Sequence, residues 1–262
     1  MIDSNNQYLS DEDLHRFSRQ LILSNFEEDH QLALAKSHVA VIGAGGLGAP
    51  LLQYLVAAGI GKITIFDDDT VELSNLNRQI IHFTDDIGKS KVLSASEKLQ
   101  ALYPTVNIEA RRERFHFFET DIPEFTVICD ASDNPQTRYA VNNYAHNNLT
   151  PLIFGGAVRL EGQLAVFRSG IDQNAPCYQC LFPEAPGADI APGCSEAGII
   201  GSITGIIGSM MALEAIRQCL LQNKMTNPLG VGAGNNLILF DGLNLNLDKI
   251  LLTKNPSCPC CG

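Results

Sequence analysis

The segment VAVIGAGGLGAP, residues 39–50, constrains this chain more than any other stretch. Its first four residues are an apolar run suited to a buried strand, and the glycines that follow open a helix. Gly43, Gly45 and Gly48 fit the spacing G-x-G-x-x-G, with Gly46 inside the same turn. Glycines let the backbone approach a phosphate, and a helix N-terminus offers unpaired N–H groups with partial positive charge. Asp67 follows Gly48 by 19 residues, at the end of the next apolar run KITIFDDD. That is where an acid usually grips ribose hydroxyls. Taken alone, the pattern describes a nucleotide site, with an NAD-dependent oxidoreductase as the default reading and a structural tight turn as the bland one.

Strand and helix signals alternate up to residue 155. A helix is expected over 11–25, with Ser10 as N-cap, Asp13 completing a capping box, and Leu14, Phe17 and Leu21 as its apolar stripe. Strand 39–42, helix 46–58 and strand KITIF follow, then an irregular polar stretch at 70–88. Helix 89–102, strands at VNIEARR and FTVICD, a helix with Pro135 near its start and strand PLIFGG complete this half. The alternation predicts an α/β fold with a Rossmann-like, doubly wound, mostly parallel sheet. AVRLEGQLAVFRSG and NNLILFDGLNLNLDKILL read instead as antiparallel strands, the second a hairpin with Asp-Gly at its turn. The economical organisation is one domain over 1–262: N-terminal helices to 35, a nucleotide-binding half over 36–155, and an antiparallel part over 156–262.

The residues after the glycine loop argue against a dehydrogenase. A dinucleotide pyrophosphate needs only the loop and the helix dipole, whereas splitting a triphosphate builds charge that fixed cations must meet. Arg78 lies beside Asn75 and Gln79 in VELSNLNRQ, and Lys91 stands in IGKSK at the start of a helix. A lysine there opposes the helix dipole, which points to a task other than stability. Asp69 joins Asp67 as a candidate, while Asp68 reads as a solvated turn acid.

The formal charge of −11 makes nucleic acid or an anionic membrane a poor general partner. Residues 197–213 carry no charge and approach the length of a membrane span. Their Gly, Ser and Thr content, with Gly201, Gly205 and Ser209 at every fourth position, favours a buried helix with a small-residue face at a subunit interface. The N-terminal stretch has neither the basic start nor the apolar run of a signal peptide, which places the expected compartment in the cytoplasm. There, paired cysteines favour metal over disulfides. Cys177 with Cys180, and Cys258 with Cys261, form two C-x-x-C knuckles suited to a closed four-cysteine zinc site, with Cys260 a rival ligand. Cys194 lies in a Pro/Gly loop that could expose a reactive thiol, while Cys129 and Cys219 read as core residues. The six histidines, at 15, 30, 38, 82, 116 and 146, form no pair at ligand spacing and receive no role.

The segments RQLIL, VIGAGGLGAPLLQYLVAAGIGKITIFDDDTVELSNLNRQ, IGKSK, CDASDN, GGAVRLEGQLAVF, CYQC and CPCCG occur in this order over almost the whole chain. Together they resemble the MoeB/ThiF family, bacterial relatives of ubiquitin-activating enzymes. The resemblance implies adenylylation: the C-terminal glycine of a small β-grasp sulfur-carrier protein, ending in Gly-Gly, attacks the α-phosphate of ATP and releases pyrophosphate. It assigns Asp67 to the ribose, Asn75, Arg78 and Lys91 to the phosphates, and Asp133 to Mg2+, with Gln79 and Asn134 in support. It sends Arg19 from a partner subunit into the neighbouring site, implying a homodimer, and leaves sulfur to a separate donor protein. In relatives a cysteine at the position of Cys194 forms thioester, persulfide or acyl-disulfide links, and in others adenylation proceeds without it. The carrier is MoaD-like, for molybdenum cofactor, in preference to ThiS-like, for thiamine. A peptide C-terminus, a tRNA base, or a non-catalytic scaffold that only docks a partner remain alternatives.

Overall fold

The computed structural model describes residues 8–116, 122–184 and 197–262. Cys194 and most of its Pro/Gly loop (183–195) lie outside the described residues. One eight-stranded sheet organises the chain, in the order β3-β2-β1-β4-β5-β6-β7-β8. The strands are β1 (His38–Ile42), β2 (Lys62–Phe66), β3 (Asn107–Arg111), β4 (Val127–Asp130), β5 (Leu152–Val158), β6 (Glu161–Phe167), β7 (Asn236–Asp241) and β8 (Asn246–Leu251). Pairings from β3 through β5 are parallel and those from β5 through β8 antiparallel. The chain winds outward from β1 to β3, then crosses back to β4 on the other side of β1. That reversal opens a crevice at the carboxyl ends of β1 and β4, where open α/β sheets hold ligands.

The strand sequences explain their places. HVAVI, KITIF and VICD are buried almost throughout, as parallel strands covered on both faces must be. β8 is exposed along its whole length, and Asp248 and Lys249 put charge on this edge. The β7–β8 connection is longer than a two-residue turn: it spans 242–245, with Asp241 Oδ1 accepting from the Leu243 N–H at 2.8 Å and Leu245 at φ 57°.

The helices are α1 (Asp11–Arg16), α2 (Ser18–Leu21), α3 (Glu28–Lys36), α4 (Gly48–Ala57), α5 (Lys91–Leu102), α6 (Pro135–Asn147), α7 (Tyr178–Leu181) and α8 (Gly201–Gln222). The single helix expected over 11–25 is broken. Ser10 caps α1 as expected, accepting from the Asp13 N–H, but Phe17 takes φ −94° and ψ 10° and ends the helix. Its ring is buried edge-on against Tyr103, and the Tyr103 hydroxyl donates to Asp13. Tertiary anchoring of this turn outweighs continuation of the helix.

α8 is long and apolar enough by length and composition to cross a membrane, but it is the core helix of this fold. Ile203, Ile207, Met211 and Ala215 are buried, and the helix packs on α4, β5 and β6. The close contacts follow the expected 201/205/209 stripe at Gly201 and otherwise fall at Gly208. A Cβ on Gly208 would lie 2.5 Å from the Leu47 carbonyl oxygen, and one on Gly201 would lie 2.4 Å from that of Asn77. Gly205 meets nothing within 4 Å among the described residues. Gly208→Val is therefore expected to cost about 1–3 kcal/mol through overpacking. Gly205→Ala should gain about 0.5–1 kcal/mol from helix propensity, both read by denaturant unfolding. A loss at Gly205→Ala would instead reveal a neighbour beyond the described residues of this chain.

Candidate functional site

The crevice at the sheet's carboxyl edge is built around the turn between β1 and α4. Gly43 sits at φ 101°, and a Cβ there would lie 2.9 Å from the Ala131 carbonyl oxygen. A Cβ on Gly48 would lie 2.0 Å from the carbonyl oxygen of Gly43, so α4 begins in direct contact with the end of β1. Gly45 and Gly46 line the cleft with Gly43, whereas Gly48 works behind it as a packing residue.

Asp67 directly follows β2 and faces this turn. Its Oδ2 accepts from the Ala44 N–H at 2.8 Å and its Oδ1 from the Asp69 N–H at 2.9 Å. Each oxygen keeps a lone pair for a further donor such as a ribose hydroxyl. Burial raises the Asp67 pKa, against the pull of the Lys91 cation and these two N–H groups. Lys91, only 6% exposed, pairs with Asp69 at 2.7 Å. Asp69 is thus the lysine's counter-ion. Arg78 donates to the Ser74 carbonyl at 2.9 Å and to Asn77 Oδ1 at 3.1 Å, and it lines the same cleft.

Asp133 and Asn134 stand on the opposite wall, just past β4. Asn134 caps α6 by accepting from the Thr137 N–H at 3.1 Å. Asp133 is exposed and lines the cleft, with no hydrogen-bond or ion-pair partner among the described residues. The triple acid Asp67–Asp69 also brings carboxylate oxygens together, but its members already hold N–H groups, Arg114 and Lys91. Asp133 therefore has the donor set free for a divalent cation.

Two expected residues lie elsewhere in this chain. Asn75 is buried and builds its own turn, accepting from the Glu72 N–H at 3.1 Å, and it does not line the cleft. Arg19 is exposed on α2 and is not among the cleft residues of its own chain. Conversely, the cleft contains Arg114, Arg138 and Thr204, which the sequence did not single out. Arg138 is four residues after the α6 cap, donates to the Ser132 carbonyl at 2.9 Å and lies over the Phe154 ring. That i, i+4 placement on one helix face was the available signal. Asp130 was missed too: its Oδ1 accepts from Ser132 N at 3.0 Å and Ser132 Oγ at 2.6 Å, shaping the turn that carries Asp133.

The site fits a nucleotide polyphosphate on its own terms. Gly45, beside the Gln79 carboxamide, leaves space a side chain would fill, and Gln79 Oε1, buried without a partner among the described residues, is an acceptor open to a donor such as a nucleoside hydroxyl or amine. Backbone N–H groups, Arg78 and Lys91 converge on one cleft in a chain that is otherwise acidic.

A second cluster lies at the C-terminal tail. The thiols of Cys177, Cys180, Cys258 and Cys261 all lie within 4.8 Å of one another, and none is in a disulfide. Sγ separations of 3.4, 3.5 and 3.9 Å within this group match the edge of about 3.8 Å implied by tetrahedral Zn–S bonds of about 2.3 Å. Cys260 falls outside the four, its Sγ engaged by Asn142 Nδ2 at 3.2 Å. The residues fit a closed tetrathiolate site with no open position.

This architecture defines a Rossmann-type nucleotide-binding protein with a thiol-rich tail. Residues 17–260 match the ThiF family, and the chain belongs to it. It is 41% identical over 256 residues to the sulfur carrier protein adenylyltransferase of Thermus thermophilus, covering 96% of this chain and 92% of that one. It is 37% identical to the SAMP-activating enzyme E1 of Haloferax volcanii, covering 95% and 89%. The adenylyltransferase and sulfurtransferase MOCS3 of Anopheles gambiae is 40% identical, and this chain spans 56% of its length. The solved structure of E. coli MccB with SeMet MccA has the same fold, with a TM-score of 0.79 at 21% identity over 99% of this chain and 76% of that one.

The purified protein is expected to carry about one zinc per chain by metal analysis. Cys261→Ser should lose that metal and lower the melting temperature, whereas Cys260→Ser should retain it. The reverse order would make Cys260 the ligand.

Proposed function

We propose that this chain adenylylates the C-terminal glycine of a small ubiquitin-like sulfur carrier ending in Gly-Gly, MoaD-like in preference to ThiS-like. The convergence of Arg78 and Lys91 on a glycine loop whose opposite wall presents Asp133 carries the reading. A carboxylate oxygen of the terminal glycine forms a bond to the α-phosphorus of ATP. The α–β phosphoanhydride bond breaks, and pyrophosphate leaves with the bond's electron pair. The relatives at 37–41% identity are named for activating such carriers or SAMPs, which favours a carrier over a peptide or a tRNA base. The charge of −11 weighs further against tRNA.

The chain's residues divide the work. Asp67 accepts from the ribose hydroxyls through its remaining lone pairs, held by the Ala44 and Asp69 N–H groups. The N–H groups of the loop from Gly45 onward face the phosphates at the α4 N-terminus. Lys91 is stored against Asp69 and Arg78 against Ser74 O, so both cations wait near where charge develops. Gln79 and Asn134 support this shell, and Asn75 acts by fixing the turn that carries Arg78. Asp133 would hold Mg2+, which neutralises phosphate charge and stabilises the leaving group when bound. The tetrathiolate cluster would hold zinc in a structural role, consistent with a reducing, cytoplasmic setting.

We read residues 1–262 as one catalytic unit that acts as a homodimer. Arg19, exposed on α2, reaches the partner's cleft in this reading. A separate donor protein supplies sulfur to the adenylate, and Cys194 is the candidate thiol for any covalent step.

Pyrophosphate–ATP exchange is expected with one Gly-Gly carrier and not with others. Asp133→Ala and Arg78→Ala should each lower it by about 10²–10³, the range for removing one transition-state contact. No exchange with any carrier would overturn the carrier reading. Mixing Arg19→Ala with Asp133→Ala chains should restore activity, because each mixed dimer has one intact site. Failure to restore would place Arg19 outside the partner's site.

A further inference from the structure

We propose that His82 is a positioning residue of the nucleotide site, clamping the glycine loop through Ala44 in register with the two cation-bearing segments. The inference rests on the adenylylation reading and adds a residue to it.

Ala44 is held at both of its backbone polar groups. Its N–H donates to Asp67 Oδ2 at 2.8 Å, and its carbonyl faces His82 Nε2 at 3.0 Å. A carbonyl only accepts, so Nε2 carries the proton. In the neutral ring Nδ1 is then the acceptor, and Ser94 Oγ, 2.8 Å away, donates to it. Ser94 Oγ in turn accepts from Lys98 Nζ at 3.1 Å, and Lys98 pairs with the buried carboxylate of Asp86. Asp86 also accepts from the Phe83 N–H at 2.8 Å and from Lys89 at 3.2 Å. Every link of this relay has a defined donor: Lys98 donates both to Asp86 and to Ser94, Ser94 donates to His82, and His82 donates to the loop.

The relay joins three segments. His82 and Asp86 belong to the stretch that carries Arg78 and Gln79, Ser94 and Lys98 lie on the helix that begins at Lys91, and Ala44 is in the glycine loop. Burial, with the Lys91 and Lys98 cations nearby, lowers the imidazole pKa and so favours the neutral ring. His82 and Ser94 are both buried, so water does not compete for these bonds. A loop whose N–H groups must point at phosphate cannot satisfy itself internally, and this clamp fixes it from behind without using the groups that bind.

The test measures the ATP Kd by calorimetry and the ATP KM and kcat in carrier-dependent exchange for three variants. His82→Phe keeps the ring but removes both bonds, and should raise the Kd and KM about tenfold or more while kcat at saturating ATP moves less than about threefold. His82→Gln can donate to Ala44 O and should restore the KM to within about threefold of the parent. Ser94→Ala should raise the KM severalfold, and it decides the matter if the Phe variant does not fold. A Kd and KM unchanged in His82→Phe, or in Ser94→Ala where that variant decides, would overturn the proposal whatever happens to the melting temperature. So would equal impairment of the Phe and Gln variants. Absence of exchange in the parent would fail the carrier reading alone, with the Kd series still judging His82.

Discussion

The contact between Gly48 and the carbonyl of Gly43 is the constraint on which the rest depends. With 2.0 Å between that oxygen and the place of a Cβ, only glycine lets α4 start directly above the end of β1. A longer connection would move the helix N-terminus, and with it the N–H groups and partial charge that make the turn an anion site. The chain then holds this arrangement from every side. Gly208 lets α8 touch Leu47 and Pro50 at the start of α4, and Thr204 backs Gly46. Gly201 seats the same helix on Asn77 and Arg78. One core helix thus braces the glycine loop and the loop of the candidate cation together.

The thiol cluster reaches the cleft through α6. Asn142 accepts from the Tyr178 N–H at 2.9 Å and donates to Cys260 Sγ at 3.2 Å, so this helix is bonded to both cysteine knuckles. The first turn of α6 carries Asn134 and Arg138 into the cleft. A staple closing the tail onto α7 therefore restrains the wall opposite the glycine loop. A metal held by the four thiols, with no open coordination position, would therefore bear on the site through rigidity rather than chemistry.

Legibility in the sequence followed the range of the physics involved. The β1 turn, Asp67 and the alternation of strands and helices are local patterns, and they stand where the sequence put them. The C-x-x-C knuckles were also readable, and spacing alone had favoured Cys258 and Cys261 over Cys260, as the cluster has it. The break at Phe17 was not readable, because it depends on Tyr103 from the end of α5. Asn75 shows the limit of residue type: a polar side chain in the right loop turned out to build the loop. His82 was passed over because its partners, Ala44 and Ser94, lie 38 and 12 positions away and neither is a titratable residue. A search for titratable pairs cannot find a histidine whose partners are a carbonyl and a hydroxyl.

The charge pattern resolves an apparent contradiction in an acidic chain that handles a polyanion. Cations of the cleft are each held by an acceptor: Lys91 by Asp69, Arg114 by Asp68, Arg78 by the Ser74 carbonyl and Arg138 by the Ser132 carbonyl. A cation fixed in this way has little freedom left to lose when a phosphate arrives, so its orientation is prepared before binding. The acceptors Asp68 and Asp69 are exposed, so under the proposed reading they would return to water as a phosphate took their place, at little net cost. Asp67 differs, being more buried and tied to the backbone, and so keeps its place through the exchange. The same three-acid run therefore performs two tasks, one acid fixing the loop and two storing cations. This accounts for a number of carboxylates that ribose binding alone would not require.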